Sequence, residues 1–103
     1  RAHCGIDVGA ATGTMIYAAD NGTVIYSQYN DGGYGNLVQI DHGNGFVTYY
    51  GHCSELLVKP GDVIAKGDPI AKVGSTGRST GPHLHFEVRK DGEPQNPLEY
   101  LNN

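Results

Sequence analysis

The chain has 103 residues, 38% of them hydrophobic, with 16 glycines, 7 tyrosines and no tryptophan, which suits one domain over residues 1–103 with a small core and little stability to spare. Net charge is −4 and the isoelectric point about 5.6. No basic cluster is available to displace counterions from nucleic-acid phosphates or to hold the domain directly on an anionic membrane, and no apolar run is long enough to cross a bilayer as a helix.

Taken in chain order, the first feature is His3 with Asp7. Their even spacing keeps them on one face of an extended segment, and Gly5 between them leaves room for backbone to approach an ion. Strands are expected at Thr14–Ala18 and Thr23–Tyr29, separated by the turn Asp20-Asn21-Gly22. A second turn, Asp31-Gly32-Gly33, leads to strands at Leu37–Asp41 and Phe46–His52. His42-Gly43-Asn44-Gly45 joins these two as a hairpin, since Asn and Gly tolerate the positive φ of such turns. Val58–Gly74 carries Pro-Gly-Asp-Val-Ile and Lys-Gly-Asp-Pro-Ile, a turn pattern like that of biotin- or lipoate-carrier barrels. Lys59, Lys66, Lys72 and Lys90 are not set at a hairpin tip as acylation would require, and that reading leaves every histidine unused. A strand at Pro69–Val73, a Gly/Ser/Thr-rich loop at Gly74–Pro82, a strand at His83–Arg89 and a helical turn over Asn96–Leu101 complete the chain. The expected fold class is all-β, an antiparallel barrel- or sandwich-like core with a narrow groove flanked by loops.

The five histidines carry the strongest signal. His83-Leu84-His85 puts two imidazoles on one face of a strand, with Leu84 and Phe86 on the other. Zinc in catalytic sites takes three protein ligands, commonly His with a carboxylate, and keeps a fourth position for water. His3, Asp7 and His85 supply two neutral nitrogens and one carboxylate, which leaves the site cationic and the water polarised, its pKa lowered toward ~7. His52 and His83 remain as acid–base groups, for which imidazole has a suitable pKa. His42, beside Gly43 in the hairpin, is placed outside the site.

At these residues the chain resembles the lysostaphin-like or LytM-type zinc metallopeptidases. The resemblance rests on His3-Cys4-Gly5-Ile6-Asp7, Gly33-Tyr34-Gly35-Asn36, Ile40-Asp41-His42-Gly43-Asn44-Gly45, Tyr50-Gly51-His52 and Gly74-Ser75-Thr76-Gly77 leading into Ser79-Thr80-Gly81-Pro82-His83-Leu84-His85-Phe86-Glu87, in family order over nearly the whole chain. It implies zinc on residues matching His3, Asp7 and His85, catalytic histidines matching His52 and His83, and hydrolysis of peptide bonds in peptidoglycan outside the cytoplasm. Gly35, Asn36, Ser75, Thr76, Ser79 and Thr80 are expected to line the groove. The rival within the family is an inactive binding or regulatory module, which typically lacks one or more ligands; none is missing here. The tyrosine that helps stabilise the oxyanion in such proteins precedes the first ligand and has no counterpart in this chain, which reads as a fragment of a longer protein with wall-binding modules elsewhere. Cys4 and Cys53 each follow a site histidine. If His3 and His52 converge on one metal, the two thiols lie beneath neighbouring positions and are expected to pair.

Overall fold

The computed structural model describes residues 5–98. Nine strands follow one another: β1 (Ile6–Gly9), β2 (Met15–Tyr17), β3 (Gly22–Asn30), β4 (Gly35–Gly43), β5 (Phe46–Leu56), β6 (Val63–Ile64), β7 (Pro69–Val73), β8 (His83–Lys90) and β9 (Glu93–Gln95). All pairings are antiparallel and belong to one sheet. The six strands expected from alternation are present. β1, β6 and β9 are additional as strands, each of only two to four residues. The helical turn expected over Asn96–Leu101 falls largely outside the described residues, as do His3 and Cys4.

The sheet is open rather than closed into a barrel. Its main path runs β1-β8-β5-β4-β3-β6, and it branches at β5. The first half of β5, Phe46–Gly51, pairs with β8. The second half, Cys53–Leu56, pairs with β7, which in turn carries β2. One long strand thus serves two partners on the same side and bends between them, and the bend falls at His52.

The turn between β4 and β5 has the expected chemistry. Asn44 and Gly45 take φ of 54° and 83°, the doubly positive pattern of a tight two-residue hairpin. The two carrier-like turns also share one device: Asp62 accepts from the Lys59 N–H and Asp68 from the Ala65 N–H, at 3.0 and 2.9 Å, while Gly61 and Gly67 take φ of 95° and 87°.

One face of the sheet gathers the core, which includes Ile16, Val24, Val38, Ile40, Tyr50, Ile70, Phe86 and Val88, all buried. Burial of each such side chain contributes about 1.5–3 kcal/mol. A polar chain threads this apolar layer. The Ala19 N–H donates to the Tyr50 hydroxyl at 3.0 Å, Tyr50 and Thr48 share a hydroxyl–hydroxyl bond of 2.8 Å, and Thr48 Oγ1 lies 2.6 Å from His42 Nε2. His42 Nδ1 lies 2.6 Å from the Asn21 carbonyl. A carbonyl only accepts, so His42 carries its proton on Nδ1 and accepts at Nε2. His42 is therefore a tie between the end of β4 and the 19–21 turn, not the solvated turn residue that its place beside Gly43 suggests.

Thr48→Val keeps the shape of that side chain and removes the hydroxyl bridging His42 and Tyr50. It is expected to destabilise the domain by about 1–3 kcal/mol, because buried partners are left unsatisfied. Urea unfolding monitored by tyrosine fluorescence measures this, and an unchanged midpoint would show that the chain contributes nothing net.

Candidate active site

The site is built around β8. His83, His85, Glu87 and Arg89 alternate with Leu84, Phe86 and Val88, and the strand period sends the two sets to opposite faces. Phe86 and Val88 enter the core. On one side β1 sets Asp7 opposite His85 and Gly9 opposite His83; on the other β5 sets Gly51 opposite His85. Directly paired residues share a face, so the Asp7 carboxylate meets the two imidazoles: Oδ1 lies 2.8 Å from His85 Nδ1 and 3.5 Å from His83 Nε2. Gly5, expected to let backbone approach an ion, lets β1 approach β8. A Cβ there would lie 2.3 Å from the Phe86 carbonyl oxygen and 2.7 Å from Glu87 Cγ.

His52 arrives from the bend in β5 with φ of 63°. Left-handed backbone is uncommon for a residue with a side chain and stores about 1–3 kcal/mol. Two bonds hold it: its N–H donates to the Tyr34 carbonyl at 2.6 Å, and its Nδ1 lies 2.8 Å from the Thr76 carbonyl. The ring is thereby brought against the others, its centroid 4.8 Å from that of His83 and 5.8 Å from that of His85.

Hydrogen bonding sets the tautomers. His52 Nδ1 faces Thr76 O, and His83 Nδ1 faces Gly81 O at 2.8 Å. Each nitrogen must donate, so the Nε2 of each neutral ring is left as an acceptor. His85 differs, because both its nitrogens face carboxylates. Nε2 lies 2.8 Å from Glu87 Oε2, and Nδ1 lies 2.8 Å from Asp7 Oδ1. A neutral imidazole has one N–H. With that proton directed to Glu87, the Nδ1 lone pair and the Asp7 oxygen face one another, an arrangement that either a second proton on the ring or a bound cation satisfies.

This donor set fits zinc, one imidazole nitrogen and one carboxylate oxygen converging with a buried carboxylate behind the imidazole. The third expected ligand, His3, lies outside the described residues. Among the described residues no group of three or more His, Cys, Asp or Glu side chains is arranged to hold an ion.

The residues expected along the groove divide. Gly35 is buried beneath the 74–82 loop, where a Cβ would lie 2.4 Å from the Thr76 carbonyl carbon. The Asn36 N–H donates to Thr76 Oγ1 at 3.1 Å, and both the Asn36 amide and the Thr76 hydroxyl donate to the Cys53 carbonyl, at 3.0 and 2.7 Å. Gly35, Asn36 and Thr76 therefore seat the loop that holds His52. Ser75 and Thr80 are exposed, and Ser79 donates to the Gly81 carbonyl at 2.7 Å beside His83. Among the described residues His42 bonds to Asn21 and Thr48 and not to His52, His83 or His85. Cys53 is a free, buried thiol pushed by burial up to about 12; the expected bridge has its other end, Cys4, outside the described residues.

Three residues of the site's framework were not singled out from the sequence: Tyr34, Glu87 and Arg89. Glu87 is 1% exposed, and a carboxylate so buried needs partners. It accepts from His85, from the Tyr34 hydroxyl at 2.5 Å and from two Arg89 nitrogens at 3.1 and 2.9 Å. Burial pushes its carboxyl upward, but the bonds from His85, Tyr34 and Arg89 outweigh it and hold the group below the ordinary carboxylate range. The signal available was the alternation His-x-His-x-Glu-x-Arg on one strand face.

An open antiparallel sheet bearing this aspartate and these histidines across three adjacent strands defines a LytM- or lysostaphin-type metallopeptidase domain. The chain matches Peptidase family M23 over residues 1–97 and belongs to that family. It is similar to the DD-carboxypeptidase/endopeptidase Mpg of Neisseria meningitidis serogroup B, with 48% identity over 98 residues that cover 95% of this chain and 22% of that protein. The chain thus spans about a fifth of the length of such curated relatives. Among solved structures, the catalytic domain of the antimicrobial peptidase lysostaphin from Staphylococcus simulans has a TM-score of 0.92 and 32% identity, covering 98% of this chain and 80% of that one. A zinc-containing peptidase from Vibrio cholerae has a TM-score of 0.86 and 36% identity, covering 98% of this chain and 30% of that one.

The His52 and His85 imidazoles are expected to titrate on opposite sides of the ordinary value of 6.5 in the metal-free protein. Burial lowers His52, against the Thr76 carbonyl; the bond to Glu87, helped by Asp7, raises His85 against burial. His52 therefore withdraws stability as the pH falls below 6.5 toward its own lower pKa. His85 contributes stability that is present below 6.5 and lost as the pH rises through its higher pKa. Imidazole NMR titration with assigned resonances checks the order, and His85 titrating below His52 would contradict it.

Proposed function

We propose that this domain is a zinc-dependent endopeptidase that hydrolyses peptide bonds in the stem or cross-bridge peptides of peptidoglycan, working outside the cytoplasm. The observation that carries the proposal is the facing pair of His85 Nδ1 and Asp7 Oδ1, flanked by His52 and His83, whose Nδ1 atoms are each turned to a backbone carbonyl. A lone metal-binding pair would suit a structural ion; two further imidazoles with open nitrogens beside it suit hydrolysis. The name of the Neisseria relative, a DD-carboxypeptidase/endopeptidase, supports the wall-peptide substrate, and the zinc-containing Vibrio peptidase supports the metal.

In this reading His3, Asp7 and His85 hold the ion, which would polarise the scissile carbonyl and the attacking water. His52 takes a proton at Nε2, because burial keeps its ring neutral and Thr76 fixes the tautomer. His83 sits with Nε2 against Asp7 and, with a proton on that nitrogen, would face the developing oxyanion or the leaving amine. The Gly81 carbonyl keeps the His83 ring from turning over. The exposed residues Ser75 and Thr80 flank these imidazoles on the 74–82 loop and suit an extended peptide with small side chains.

Digestion of purified cell walls of defined chemistry, followed by mass analysis of the fragments, tests the substrate; intact wall peptides after exposure to the zinc-loaded protein would refute it. Asp7→Ala and His85→Ala are expected to lose both zinc and activity. His52→Ala and His83→Ala should retain near-stoichiometric zinc and lose activity by about 10²–10⁴-fold, while His42→Ala should keep most activity. Metal content and cleavage rate, measured on the same preparations, separate the two groups, and loss of zinc from His52→Ala would show that the roles are wrongly divided.

A further inference from the structure

We infer that Glu87, held by Tyr34 and Arg89, is the positioning residue that turns His85 into a metal ligand through Nδ1, and that Tyr34 joins this support to the backbone of His52. The inference rests on the metal reading above and adds to it the source of the ligand's orientation.

The argument starts with the imidazole. A histidine can bind a metal through either nitrogen, and the choice follows from where its proton is held. His85 has two nearby carboxylates, one at each nitrogen, and they are not alike. Asp7 is largely exposed, with a side chain 64% accessible, and is a ligand by its position. Glu87 is buried, and every bond it makes comes from a donor: His85 Nε2, the Tyr34 hydroxyl and the Arg89 guanidinium. Tyr34 and Arg89 fix where the carboxylate lies, and that location decides which nitrogen of His85 keeps the proton. With Nε2–H directed to Glu87, Nδ1 faces Asp7 with its lone pair. A ring flipped about χ2 would turn carbon toward the buried carboxylate and leave Oε2 with the Tyr34 hydroxyl but without its imidazole donor.

The geometry of Tyr34 makes it more than one donor among three. Its ring lies across β5 at Gly51, where an added Cβ would come within 3.1 Å of Tyr34 Cδ1. A side chain there would force the ring to give by a few tenths of an ångström, so glycine lets it pass over β5 to Glu87 on β8 unstrained. The ring centroid lies 5.8 Å from that of His85 and the same distance from that of Tyr49, and Arg89 stacks over Tyr49 at 4.8 Å. At its other end, the Tyr34 carbonyl accepts the N–H of His52 at 2.6 Å. One residue of the β3–β4 turn thus fixes the left-handed backbone of the acid–base histidine and, through Glu87, the ring of the metal ligand. The distance between the two imidazoles is set by Tyr34 rather than left to the sheet.

The test uses two near-isosteric variants of the full chain, Glu87→Gln and Tyr34→Phe, with three measurements on each. Zinc affinity is measured by competition with a chromophoric chelator, the tautomer of His85 by ¹⁵N NMR of the zinc-loaded protein, and the thermal midpoint on the metal-free protein. Outer-shell partners of metal-bound histidines typically influence affinity by about ten- to a hundredfold. Glu87→Gln is expected to weaken zinc by about that factor, because its amide NH₂ can present a donor to Nε2 and favour the tautomer with Nδ1 protonated. Tyr34→Phe keeps the ring and the carbonyl that holds His52, so a smaller loss of affinity is expected, with a folded metal-free protein as the control. Wild-type affinity and an Nε2–H tautomer in both variants would overturn the inference while leaving the zinc reading intact. Weakened zinc in both variants, in a wild-type protein that binds zinc but cleaves no wall peptide, would support the inference and refute the substrate proposal. A wild-type protein that binds no zinc at all would overturn both the metal reading and this one.

Discussion

The two-residue period of β8 is the constraint on which the site depends. A strand cannot send consecutive side chains to the same face, so a segment that must both close a core and carry a polar site has to alternate. His83-Leu84-His85-Phe86-Glu87-Val88-Arg89 does so without a break. Phe86 and Val88 bind the strand into the apolar layer, and that anchoring fixes the height and angle of the residues between them. A slip of one residue against β1 or β5 would bury the imidazoles and expose Phe86, so hydrophobic burial enforces the register that sets Asp7 opposite His85. The core selects the geometry of the site by making every other register expensive.

The remaining parts answer problems that this arrangement creates. Histidines along a single strand face would stand in a row, and hydrolysis needs groups that converge. Convergence comes from β5, which changes partner from β8 to β7 and turns through a left-handed residue at the change. That residue is His52, so the bend itself delivers the imidazole. The 74–82 loop is closed at its base by the Gly74–His83 bridge and seated on Gly35, Asn36 and Cys53. It presents the Thr76 and Gly81 carbonyls that fix the tautomers of His52 and His83. Thr76 and Ser79 turn their hydroxyls to the protein's own backbone while Ser75 and Thr80 stay exposed, which is why a loop that reads from sequence as a substrate wall also serves in the fold as a support.

Much of this was legible in the residues. Alternation gave the longer strands, and Asn44-Gly45 gave the hairpin, because those signals are local and their physics is short-range. The pairing of Asp7 with His85 was accessible as chemistry, since their residue types suit one ion, though only the β1–β8 register shows them as neighbours. What stayed hidden is what depends on contacts far apart in sequence. β1, β6 and β9 are too short to display a period and exist because longer strands offer them an edge. Gly5 was read as room for backbone to approach an ion, and the close packing of β1 on Phe86 and Glu87 also requires it. Tyr34 and Glu87 are 53 positions apart, and nothing in the composition of either neighbourhood announces the bond between them. His42 was set apart from the site by its place in the hairpin, but the chain His42–Thr48–Tyr50 that it completes emerges only when β4 and β5 are paired.

The strain at His52 explains why so much structure surrounds one residue. An imidazole on left-handed backbone costs about 1–3 kcal/mol, a sizeable part of the roughly 5–15 kcal/mol by which a small domain is stable. A bend built with glycine would be cheaper, and this chain places glycine at positive φ in nine other positions among the described residues. Retaining histidine there means accepting a less stable bend in return for an imidazole directed toward His83 and His85. Such a residue persists only if its surroundings leave it no alternative conformation, and here each neighbouring polar group is already committed. The Tyr34 carbonyl takes its N–H, the Thr76 carbonyl takes its ring nitrogen, and the carbonyl of the next residue, Cys53, is held by both Asn36 and Thr76. Relaxing His52 would break these bonds together rather than one at a time. The same bonds limit how far the imidazole can move, so the rigidity that offsets the strain also holds its ring at a fixed distance from those of His83 and His85.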